Sequence, residues 1–169
     1  MSTTFFVLLQ ISILAYALVA GVFLAFSDFI TRSLALTGGV GGVEAMQVIN
    51  REVFRWVFMA LFLGMAAVSV LIAGYAWVAL SGPAGTLIGV AALVYLIGCF
   101  GVTVAFNVPM NQALAGMELS SEATRDYWLQ SYVPRWTFWN SVRTGAAALA
   151  AALLLFGLLW MTQTQSQPA

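Results

Sequence analysis

The sequence has no histidine and no lysine, a single cysteine, and few charges of either sign. Without histidine it lacks the commonest ligand for haem and transition metals. The lone Cys99 excludes an internal disulfide framework and any multi-cysteine metal site. No metal is therefore expected, and a cofactor, if there is one, would be held without imidazole. Six arginines balance six acids, giving a formal net charge of zero. That removes the excess of basic contacts on which nucleic-acid binding rests. There is also no nucleophile–base pair and no glycine-rich phosphate loop, which argues against hydrolase and phosphotransferase chemistry.

What the chain does have is apolar surface. Of its 169 residues 62% are hydrophobic and only 7% charged, whereas a soluble domain needs about a quarter charged residues to wet its surface. Lipid must be part of its solvent. Four apolar segments, 5–26, 57–80, 87–106 and 142–161, are each long enough to cross about 30 Å of hydrocarbon. The first lacks a basic leader and a small-residue cleavage site before Asp28, so it reads as a retained span. The expected fold is all-α: one domain, 1–169, an integral membrane four-helix bundle. Trp56 to Trp77 and Trp139 to Trp160 are each 21 residues apart. That spans about 31 Å, which puts an indole at each interface.

Four spans place the connections 27–56 and 107–141 on one face, with both termini and the turn "SGPAG" (Ser81–Gly85) on the other. All six arginines and all six acids lie in or beside the two long connections. The arginine bias predicts that these connections are cytoplasmic and both termini outside, in a bacterial inner membrane. A helical cap over that face is also expected. After the glycine-rich and flexible "GGVGG", Met46, Ile49, Val53 and Val57 recur at helical spacing, on a helix that should run straight into the second span. "SSEATRDYWLQSYVP" starts with a serine N-cap and places Glu122 in the first turn. Pro134 should end that helix. Two stretches, 25–35 and 105–115, align without gaps and suggest a weak internal repeat of one helix–connection–helix unit.

Polar residues near the hydrocarbon are costly and mark partners or cavities. Tyr95, Cys99, Thr103, Asn107 and Asn111 follow at steps of four along one winding face. Pro109 should bend or end this helix and free carbonyls beside Asn107 and Asn111. The row reads either as interhelical hydrogen bonding or as a pocket lining. Trp136, Asn140 and Arg143 share one face at the mouth of the last span. A guanidinium, an amide and an indole so arranged make a clamp for an anion or carbonyl. The same residues also suit interfacial anchoring, with the arginine reaching to lipid phosphate. Asp28 and Arg32, at i and i+4, are expected to pair.

With these residues laid out, the chain resembles the anthrone-oxygenase-like family of small four-span membrane proteins. The resemblance rests on "FSDF", "EAMQVINR", "FNVPMN" and the run containing Trp128, Tyr132, Arg135, Trp136, Trp139, Asn140 and Arg143. It implies oxidation of an anthrone by O₂ without metal or flavin. Under it, Arg143 and Asn140 would hold the developing oxyanion and Asp28 would be the general base. Trp136 and Trp128 would stack on the rings, and Asn107, Asn111, Gln47 and Asn50 would contact the substrate. The competing expectation is a non-enzymatic protein that binds membrane lipids or a small aromatic or quinone-like ligand, or that serves as a partner subunit.

Overall fold

The computed structural model describes residues 2–55 and 57–165, and among these every regular element is helical. The main helices are α1 (Thr3–Leu36), α2 (Gly41–Glu52), α3 (Val57–Ala79), α4 (Gly82–Ala115) and α5 (Glu122–Thr164). All but α2 are long and apolar enough to cross a membrane, so the chain is a four-span helical membrane bundle. Trp56 lies outside the described residues, and the Trp56–Trp77 spacing with it. Met1 and residues 166–169 also lie outside them.

Each span is apolar all round, as a helix must be when one side faces protein and the other lipid. On α1, Leu9, Tyr16, Val19 and Phe23 are buried, while Val7, Ile11, Leu14 and Leu18 are exposed on the opposite side. Close packing of α4 on α5 depends on small residues. A Cβ added at Gly98 would sit 2.7 Å from the Ala146 Cβ, and Ala91, Ala92, Ala147 and Ala150 are all buried. Small side chains of this kind let membrane helices approach closely. In mid-bundle, Tyr16 stacks on Tyr95 at 4.4 Å and shares a hydrogen bond with Ser69. The Tyr95 hydroxyl donates to the Phe62 carbonyl at 3.1 Å. These two phenols are satisfied inside the bundle.

The cap is built mainly from extensions of the spans themselves. α1 and α4 run for 34 residues and α5 for 43, against about 20 needed to cross hydrocarbon. Helix persists where the prolines were expected to stop it. Pro109 and Pro134 each follow a π-helical stretch, Thr103–Asn107 and Tyr127–Tyr132. In both cases the residue just before the proline bonds five residues back, Val108 N–H to the Thr103 carbonyl and Val133 N–H to the Trp128 carbonyl. The wider turn gives the pyrrolidine ring room and absorbs its missing donor. A third π-helical stretch, Phe26–Ile30, contains Asp28.

Four further details differ from the sequence expectations. The turn between α3 and α4 is shorter than Ser81–Gly85, because α4 starts at Gly82, whose φ of +73° favours glycine. Gly41 and Gly42 are helical, and Gly42 lies so close to the Leu34 carbonyl that a side chain would collide with it. Past α2 the chain tightens into a 3₁₀ turn, Val53–Arg55, instead of continuing as one helix into α3. Asp28 and Arg32 form no ion pair. Both side chains are exposed, and the ion pair found among the described residues is Glu52–Arg55. The Ser121 N-cap does form: its hydroxyl accepts from Thr124 N–H, with Glu122 in the first turn.

Candidate functional site

Every main helix contributes to one cavity of about 90 Å³ under the cap. Phe23 comes from α1, Asn50 from α2, Phe58 from α3, Asn111 from α4, and Trp136 and Arg143 from α5. Phenyl rings from the cap ends of the spans, Phe23, Phe58 and Phe62, line it together with the amides of Asn50 and Asn111. That volume is smaller than the roughly 150 Å³ void that holds a benzene, and the cavity is partly open to the outside. A multi-ring molecule would therefore fit only in part, with its remainder extending past the exposed lining residues Val22 and Phe54.

Arg143 is the centre of the site. Its side chain is only 5% exposed and no acid lies against it. All six acids of the chain are exposed. The guanidinium donates through Nη2 to Asn140 Oδ1 at 2.5 Å and through Nη1 to Thr103 Oγ1 at 3.2 Å. It lies 4.1 Å from the Phe23 ring centre and 5.3 Å from that of Trp136. Two ring faces and two hydrogen bonds offset part of the several kcal/mol that burying a charge costs. None of them neutralises it. Nε is buried and has no hydrogen-bond partner.

Asn140 explains the fixed aim of this arginine. It is fully buried, and its Nδ2 donates to the Phe23 carbonyl and to Ser27 Oγ, both at 2.6 Å. That orientation leaves Oδ1 for the guanidinium. Above the arginine, Asn111 Oδ1 accepts from both the Tyr132 hydroxyl and Trp136 Nε1, each at 2.8 Å. Asn50 Nδ2 donates to the Tyr132 hydroxyl at 3.3 Å, which ties α2 to the other two helices.

The residues singled out from sequence thus separate into groups. Arg143, Trp136, Asn50 and Asn111 line the cavity, and Asn140 holds Arg143 from behind. Asn107 is buried beside it, donating to the Trp136 carbonyl at 3.3 Å while its Oδ1 has no partner. Gln47 is a clasp between α2 and the end of α4, donating to the Leu114 carbonyl at 2.8 Å. Trp128 stacks on Tyr132 at 5.2 Å and borders an open groove of about 560 Å³ on the cap's outer side, not the cavity. Asp28 is exposed on its π-turn and does not line the cavity. No carboxylate does. Thr103 was named only within the polar row and Tyr132 only within the run that carries the resemblance, neither with a role of its own, although each belongs to a row with a step of four: 128, 132, 136, 140 and 99, 103, 107, 111.

The polar row of α4 stays on one side because π-helical turns, Tyr95–Gly101 and Thr103–Asn107, fall along it. A wider turn brings side chains four apart closer to vertical alignment. The site can thus offer a fixed cation, amides on a rim and aromatic faces for a flat ring. Among the described residues no group of three or more potential metal ligands occurs. The sequence profile of a family described as anthrone oxygenase matches residues 51–153, which include Phe58, Thr103, Asn111, Trp136, Asn140 and Arg143. No curated protein and no solved structure matches the chain.

Proposed function

The chain belongs to the anthrone oxygenase family, and on that premise we propose that it is a cofactor-independent oxygenase for an anthrone- or hydroquinone-like aromatic substrate. The supporting observation is the buried guanidinium of Arg143, which faces the cavity without an acid beside it. In this reading the substrate gives to water at the mouth a proton that the peroxide formed later takes back. Its enolate oxygen is held by Arg143 as Asn140 fixes the guanidinium. Trp136 stacks on the ring, and Asn111 and Asn50 meet oxygens at its edge. The carbanion adds O₂ to give a hydroperoxide, which loses water. The balance is anthrone plus O₂ to anthraquinone plus water, with no outside reductant. A dry site with preorganised donors is what such an oxyanion needs. Gln47, Trp128 and Asn107 support the frame, and Asp28 takes no part.

Oxygen uptake by the nanodisc-embedded protein, measured with a panel of anthrones and hydroquinones, tests the reading. The wild type should exceed spontaneous autoxidation. Arg143→Ala should lose about 10²- to 10³-fold, the usual cost of removing an oxyanion donor, and Asp28→Asn should keep the wild-type rate. A flat wild-type trace across the panel would sink the oxygenase. One observation favours a second reading: no carboxylate lines the cavity to serve as a base. On that reading the same residues bind a quinone or a lipid headgroup without turnover. In either case we place the protein in a bacterial inner membrane with its cap in the cytoplasm, following its arginine bias.

A further inference from the structure

We propose that α2 is a lid on the cavity, hinged at the turns before and after it, and that the Gln47 amide on the Leu114 carbonyl is its latch. Its role as a gate rests on reading the cavity as the ligand site, whereas its movement does not.

Among the walls of the cavity α2 stands apart. The others belong to α1, α3, α4 and α5, which are long and apolar enough to cross the membrane. α2 is a helix of 12 residues outside the spans. Met46, Ile49 and Asn50 on one face line the cavity, while Glu44, Val48, Arg51 and Glu52 are exposed. Little holds this helix in place. Its buried apolar side chains are Val43 and Met46, in a cluster with Leu114, Tyr132 and Trp136. Two of its side chains hydrogen-bond to other helices. Gln47 Nε2 donates to the Leu114 carbonyl at 2.8 Å and to that of Met117, just past α4, at 3.4 Å. Asn50 Nδ2 donates to the Tyr132 hydroxyl at 3.3 Å. A segment with so few buried contacts opens before the rest of the fold.

The chain has a pivot on each side of α2. Gly38 and Gly39 precede it in open space, the second with a φ of +65° that favours glycine. After it the backbone tightens into the 3₁₀ turn Val53–Arg55, a geometry that often marks a hinge when it interrupts a helical run. The demand for movement comes from size. About 90 Å³ is less than a single ring needs, so a ring system seated against Arg143 has to displace a wall. α2 is the wall with hinges. Phe54, exposed at the cavity's opening, sits on the second hinge, so lifting α2 widens the opening through which the rest of a ligand extends. Gln47 does not line the cavity. It therefore acts on a ligand only through the lid.

Hydrogen–deuterium exchange of the protein in phosphatidylcholine nanodiscs, paired with stopped-flow binding of 1,8-dihydroxyanthraquinone, tests both parts. The probe is a three-ring aromatic, and its arrival beside Trp136 is read as quenching of tryptophan emission. Amides of residues 45–52 should exchange together, about tenfold or more faster than those of residues 127–140 of α5 in the same cap. This comparison needs only wild-type protein, so a poorly folding variant cannot mask it. Gln47→Met keeps a side chain of similar length that donates nothing. It should speed α2 exchange about fivefold, the usual contribution of one hydrogen bond, and leave exchange in the spans unchanged. A gate that opens before binding passes ligand in proportion to its open fraction. Probe association should therefore quicken by the same factor. Val48→Ala, on the exposed side of α2, should change neither rate. Exchange of α2 as slow as that of α5 would overturn the lid and leave the site reading intact. Faster α2 exchange in Gln47→Met with unchanged probe association would overturn the gate. A wild type that binds no probe would overturn the gate together with the site reading.

Discussion

The bond that matters most at the scale of single residues is the least conspicuous one in the sequence. Asn111 Oδ1 is the common acceptor for Tyr132 and Trp136. Replacing Asn111 by leucine would leave two polar hydrogens without an acceptor in a nearly dry place, at about 1–3 kcal/mol each. Asn111→Leu should therefore lower the melting temperature clearly, whereas Trp136→Phe, which removes one donor and keeps a ring, should lower it much less. Thermal unfolding of the two variants side by side checks this, and equal shifts would contradict it. The grouping of Trp136, Asn140 and Arg143 was legible because three- and four-residue steps on a helix define a face. The separate fates of Gln47 and Asn50 were not legible. They lie three residues apart on one cap helix, and only tertiary packing turned one toward the Leu114 carbonyl and the other toward the cavity. Asp28 could not be placed either, since its spacing to Arg32 does not show that its carboxylate stays exposed and outside the cavity.

Elements depart from sequence rules where helical geometry widens. Proline punctuation assumes α-helical hydrogen bonding, and both Pro109 and Pro134 escape it by following i to i+5 turns. No residue type announces such a turn, so the helix ends were misplaced while the helices themselves were not. The interface between α4 and α5 depends instead on the absence of side chains. A Cβ at Gly98 would lie 2.7 Å from Ala146, whereas one at Gly64, on α3, would meet nothing within 4 Å. Gly98→Val should therefore force the helices apart and cost about 1–3 kcal/mol, the usual range for overpacking. Gly64→Ala should be neutral or slightly stabilising, since alanine is the better helix former. Reversible unfolding in mixed micelles reads both. A neutral Gly98→Val would mean that the two helices do not pack this closely.

Taken whole, the molecule is polarised from end to end, and this was the property most legible in the sequence. Hydrocarbon excludes charge, so the six arginines and six acids collect at the cap end, where α1, α4 and α5 outrun the membrane. The Ser81–Gly85 end has no charged side chain. Because the arginine bias sets orientation, alkaline phosphatase fused after Ala169 or inserted at Ser81 should be active outside the cytoplasm. The same reporter inserted at Gly38 should be inactive. The reversed pattern would turn the protein over and place Arg143 beneath the outer surface. Orientation also decides which pool can fill the cavity. Its mouth opens under the cap, so with the cap in the cytoplasm an ionised ligand reaches Arg143 from the cytoplasmic side without carrying its charge across the bilayer. With the cap outside, the same ligand would have to come from the external medium or cross the membrane in its neutral form.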